Sequence, residues 1–111
     1  MTHAPTKLEI LCARFVVPSA KGGWREVETR AEAQGIWFLC PLCFEHHGGD
    51  VGTHGILAWF VGVGVREMVE PTTRWKAFGL SMEELSLSPS IRTQNGCKWH
   101  GWVRSGEAVP A

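Results

Sequence analysis

The sequence predicts a mainly β fold, a β-rich α+β arrangement at most, and three observations carry that expectation. The apolar residues of this 111-residue chain fall in short runs rich in Val, Ile, Phe and Trp, divided by Gly, Pro, Asn and Ser. No stretch sustains a helical period, a heptad or an internal repeat. Two ligand pairs, Cys40-Pro41-Leu42-Cys43 and Cys97-Lys98-Trp99-His100, have the spacing of knuckle turns that aim two side chains at one metal ion. The expected architecture is one small sheet clipped where 40–43 meets 97–100, forming a single domain over 7–111 behind a flexible tail at 1–6.

Taken in order, residues 7–17 (KLEILCARFVV) alternate imperfectly and read as a first strand ending before Pro18. The turn signal Ser19-Ala20-Lys21-Gly22-Gly23 then joins it in a hairpin to a strand at 24–28. Thr29 and Glu32 have the form of a capping box, so the stretch before Gly35 is either one helical turn or plain loop. Residues 35–39 (GIWFL) form a buried strand that delivers the first knuckle, with Pro41 stiffening the turn. A glycine-rich loop over 44–55 follows, and residues 56–63 (ILAWFVGV), the most apolar segment, read as a central strand. Residues 74–78 form a short strand, Ser81 and Glu84 another capping pair, and 85–91 an edge strand interrupted by Pro89. Residues 93–96 turn the chain into the second knuckle, and the chain closes with a hairpin from Trp99 to Val109.

Composition narrows the class. A hydrophobic content of 44% against 20% charged residues describes a globular chain. Eleven basic and eleven acidic residues cancel, without the basic excess of a general nucleic-acid coat. The longest apolar run is half the roughly twenty residues that a membrane helix needs. The start of the chain also lacks the pattern of a signal peptide. The expectation is a protein of the reducing cytoplasm with no membrane contact, where paired cysteines hold metal more often than they form disulfides.

Together Cys40, Cys43, Cys97 and His100 make a Cys3His set, which points to one tetrahedral structural zinc ion. A disulfide pairing competes with this reading, although Cys12 lies in an apolar run without a partner motif. The separation of the two pairs exceeds the roughly 15–20 residues of a common zinc ribbon. The added closure entropy is under about 1 kcal/mol, small beside zinc-binding energies of about 10 kcal/mol or more. Four protein ligands would leave no open position for substrate, so the ion would be structural. The loop residues His46, His47, Asp50 and His54 could hold a second metal or act as acid–base groups. The competing reading is a solvated loop, since adjacent histidines on extended backbone point to opposite sides. No phosphate loop, zinc-deaminase signature or G-x-S-x-G elbow is present.

The pattern Phe38-Leu39-Cys40-Pro41-Leu42-Cys43, Pro89-Ser90-Ile91 and Gly96-Cys97-Lys98-Trp99-His100-Gly101-Trp102-Val103-Arg104-Ser105-Gly106 resembles a family of short phage and prophage zinc-knuckle proteins. The resemblance implies zinc and a phage setting in the bacterial host cytoplasm, and no defined activity. The leading expectation is therefore a non-enzymatic, zinc-stabilised accessory factor engaging a protein partner. The alternatives are a nucleic-acid-binding zinc module using Lys98, Trp99, Trp102 and Arg104, and a small metal-dependent hydrolase built on the 46–54 loop.

Overall fold

The computed structural model describes residues 5–61, 74–93 and 98–111. In chain order the elements are β1 (Thr6–Lys7), β2 (Arg14–Pro18), β3 (Trp24–Val27), β4 (Gly35–Leu39), α1 (Pro41–His47) and β5 (Gly55–Trp59). They continue with β6 (Lys76–Phe78), β7 (Ser86–Ser88), β8 (Ile91–Arg92), β9 (His100–Arg104) and β10 (Glu107–Pro110). The fold is mainly β, as the residue pattern predicts. It is built from three antiparallel sheets rather than one: β3-β2-β4-β5, β1-β10-β9-β8 and the ribbon β6-β7.

β4 is one of the two inner strands of the first sheet, in keeping with its continuous apolar run. By contrast β5, expected from its apolar residues to be central, lies at the edge, where its inner face still packs into the core. β4 pairs with β2 through Phe15 and Ile36 and with β5 through Ile36 and Ala58. The hairpin of β2 and β3 forms as expected. Gly22 and Gly23 take φ of 93° and 71°, a region open to glycine without steric cost. The run 7–17 is not one strand. Leu8 and Leu11, three positions apart and both fully buried, fold as tight turns, with the Ala13 N–H donating to the Leu8 carbonyl. Two leucines on one side of a turn bury better than they would on an alternating strand, and this divides the segment into β1 and β2. Thr6, assigned by sequence to the tail, pairs with Ala108 in β1.

At Thr29 half of the capping box is made. Its hydroxyl donates to the Glu32 carboxylate at 2.8 Å and accepts the Glu32 N–H at 3.4 Å, around a single turn. The largest difference from expectation is α1, which occupies the start of the supposed loop. Pro41 sits at its first turn, where the missing N–H costs nothing, and Gly48 closes it in the left-handed region at φ 70°. Residues 62 and 63 of the expected 56–63 strand lie outside the described residues.

The sheets meet in one apolar core. The rings of Phe38 on β4 and Trp99 before β9 pack edge to face, 6.2 Å between centroids. Phe60 forms a bridge to Trp75, and the Trp75 indole N–H donates to the Ser90 carbonyl at 3.3 Å, tying the first sheet to the approach to β8. Trp75 is buried, and Trp24 stacks on Trp37 at 5.3 Å, so neither is a free exposed anchor. Among the described residues no helix is long and apolar enough to cross a membrane.

Phe38 is fully buried against Trp99. Its replacement by alanine is expected to cost about 3–5 kcal/mol of stability, measured as a lower urea midpoint. A loss below about 1 kcal/mol would show that the two sheets do not depend on this contact.

Candidate functional site

Two groups of reactive side chains emerge, each assembled by strand pairing. The first is set by the β8–β9 register, in which Ile91 lies opposite Gly101 and Arg92 opposite His100. Alternation along β9 sends Trp99, Gly101 and Val103 inward, where all three are buried, and turns His100 and Trp102 to the other face. Along the opposing segment, Ile91 is buried, Arg92 is exposed opposite His100, and Ser90, just ahead of β8, is half-buried. Ser90 immediately precedes β8, one residue beyond the paired positions, and the imidazole of His100 reaches it from β9. The His100 Nε2–Ser90 Oγ distance is 3.1 Å, and both residues are half-buried.

The surrounding backbone holds this pair in place. The His100 carbonyl accepts the Ala111 N–H at 3.1 Å, and the Thr93 N–H donates to the Trp99 carbonyl at 2.9 Å. Gly101 fits between the Trp99 ring and the Val109 carbonyl, where an added Cβ would collide with both. Among the described residues no carboxylate hydrogen-bonds the other nitrogen of His100. A hydroxyl at hydrogen-bond distance from an imidazole is the arrangement of an activated nucleophile and its base.

The second group follows from the β4–β5 ladder. Leu39 pairs with Gly55, and the Cys40 N–H donates to the His54 carbonyl at 2.9 Å, so His54 stands across from Cys40. Cys40 is the extended N-cap of α1, and the first helical turn carries Cys43 back to the same side. One ligand atom from each of Cys40, Cys43 and His54 lies within 4.8 Å of the others, close enough to hold a metal ion. Cys40 is buried and Cys43 partly buried, and neither is in a disulfide. Two thiols and an imidazole form a borderline-soft donor set that suits a tetrahedral metal.

Of the residues singled out from sequence, Cys40 and Cys43 come together. His100 faces Ser90, and Cys97 lies outside the described residues. From the histidine loop, His54 joins the two cysteines. His46 and His47 are exposed on α1 with their rings 5.4 Å apart, and Asp50 is exposed. Reading the residues missed the contact of Ser90 with His100 because it is made by the fold, ten positions apart, and not by a local spacing. It missed His54 as a partner of Cys40 because the helix was read as loop. Pro41 before the segment and Gly48 after it were the available signal.

Comparison with known proteins gives one family. Residues 17–111 match the family described as "Bacterial ubiquitination-like system serine protease (BubE)". No curated protein and no solved structure matches the chain. The family match overturns the expectation of a phage accessory factor engaging a protein partner, and equally the nucleic-acid module and the metal-dependent hydrolase on the 46–54 loop. The geometry agrees with that correction. Trp99, offered as a base-stacking residue, is buried in the core, and the Arg104 guanidinium covers the Trp102 ring at 4.5 Å. By its match over residues 17–111, the chain belongs to the BubE family of serine proteases of bacterial ubiquitination-like systems.

Proposed function

We propose that this chain is a serine protease in which Ser90 is the nucleophile and His100 the general base. The observation that carries this reading is the 3.1 Å contact between Ser90 Oγ and His100 Nε2 on an accessible strand face. In the tautomer protonated at Nδ1, Nε2 accepts the Ser90 hydroxyl proton as Oγ attacks the substrate carbonyl carbon. Collapse of the tetrahedral intermediate breaks the C–N bond, and His100 passes the proton to the departing amine. The acyl group remains on Ser90 as an ester. Water, deprotonated by His100, then attacks that ester, returning the proton to Ser90 Oγ and releasing the acid. Pairing of β8 with β9 performs the orienting role that a third side chain has in a triad.

Alongside this, Cys40, Cys43 and His54 fit a single zinc ion with a structural role, holding α1 to the start of β5. Cys97 is assigned as the fourth donor on sequence grounds, since its motif supplies the second ligand pair and Cys12 is exposed on a turn. His54 replaces His100 in the ligand set, which leaves His100 to serve Ser90. The metal takes no part in the acyl-transfer steps.

Two experiments test these assignments. A fluorophosphonate should label the protein at Ser90, located by peptide mass spectrometry. Ser90→Ala should abolish labelling, and His100→Ala should slow it by about 10³-fold or more while far-UV circular dichroism stays native. Labelling at another serine, or undiminished labelling of His100→Ala, would refute the pair. For the metal, elemental analysis should find one zinc per chain in the wild type and in His100→Ala, and a large loss in Cys43→Ser and His54→Ala. Loss of zinc in His100→Ala with retention in His54→Ala would reverse the histidine assignment.

A further inference from the structure

The face that carries Ser90 and His100 also carries positive charge that catalysis does not consume. Arg92 stands directly opposite His100 in the ladder, and both Arg92 and Lys98 are exposed. With Thr93 and His100 they line an open cleft of about 400 Å³, a size that accepts a peptide side chain. Among the described residues neither cation meets a carboxylate, whereas Arg104 covers Trp102 and Arg14 is paired with Glu26 at 2.9 Å. The backbone at Lys98 takes φ 56°, a left-handed conformation uncommon for a residue with a side chain. Such outliers concentrate where a side chain is held for a purpose.

We propose that Arg92 and Lys98 form a carboxylate-binding subsite beside the nucleophile, directing the enzyme to bonds flanked by an acidic group. This rests on Ser90 and His100 acting as nucleophile and base. Two cations on the wall of a cleft that also presents the base, with no anion of the described chain to neutralise them, attract a substrate carboxylate and orient it by charge-assisted hydrogen bonds. The carboxylate belongs either to an Asp or Glu side chain near the scissile bond or to the end of the substrate chain. Both present the same group to the cleft.

The test compares Ser90 labelling rates for peptidyl fluorophosphonates that differ only beside the reactive group. One carries Glu with an amide-capped terminus, a second Gln with the same cap, and a third Gln with a free terminal carboxylate. The wild type should label about tenfold faster with one of the two acidic probes than with the capped Gln probe. Preference for the first assigns an internal acidic residue, and preference for the third assigns the chain end. The ratio should fall towards one in the double variant Arg92→Gln, Lys98→Gln, and in the wild type as salt rises. Equal rates for all three probes in the wild type would overturn the subsite while leaving the nucleophile intact. A ratio that survives in the double variant, with all rates reduced together, would also overturn it, because the cations would then act on the reacting centre. Failure of every probe to label Ser90 would instead refute the nucleophile assignment, and the subsite with it.

Discussion

Pairing of β8 with β9 in one register is the constraint on which the site depends. Side chains alternate along a strand, so a slip of one residue would turn His100 into the core and bring Trp99 or Gly101 to the face beside Ser90. The alternative register is blocked from the inner side. Trp99 is buried against Phe38, Val103 is fully buried, and Gly101 lies between the Trp99 ring and the Val109 carbonyl, where no larger residue fits. The apolar inner face thus sets the position of the outer face that carries His100. His100 is held within β9, and Ser90 is held in the short connection from β7 by its carbonyl, which accepts the Trp75 indole N–H, and by the β8 pairing that follows it.

The cysteine cluster follows the same logic at the other sheet. The β4–β5 ladder ends at Leu39 and Gly55, and the next hydrogen bond, from Cys40 to the His54 carbonyl, brings a thiol and an imidazole face to face. A proline-started turn of helix returns Cys43 to them. A metal at this point would link α1, the end of β4 and the start of β5. In a chain of this size such a link is a substantial part of stability. The fold divides the two histidines between the groups: His54 lies beside the thiols and His100 beside the Ser90 hydroxyl.

Much of the architecture was legible in the residues. The buried run 35–39, the Gly22–Gly23 hairpin, the terminal hairpin and the Thr29–Glu32 turn all form where local chemistry places them. In each, the signal and the structure are only a few residues apart. The split of 7–17 and the helix 41–47 were less legible. In the first, burial of Leu8 and Leu11 overrides an imperfect alternation. In the second, seven residues between a proline and a glycine are too short to show a helical period. The Cys40–Cys43 spacing does bring two thiols together, and the histidine that the fold sets beside them is His54, which belongs to neither ligand pair.

By itself, the sequence determined that this is a mainly β chain with two cysteines, 40 and 43, brought close by one tight turn, because turn chemistry and alternation act over a few residues. Which histidine meets those cysteines, and which serine meets the remaining histidine, was decided only by the tertiary structure. Ser90 and His100 are ten positions apart, and their contact exists only because the β8–β9 register brings the start of β8 beside His100. Strand pairing between separated segments is a property of the whole core, and it is there that the chemistry of this protein is specified.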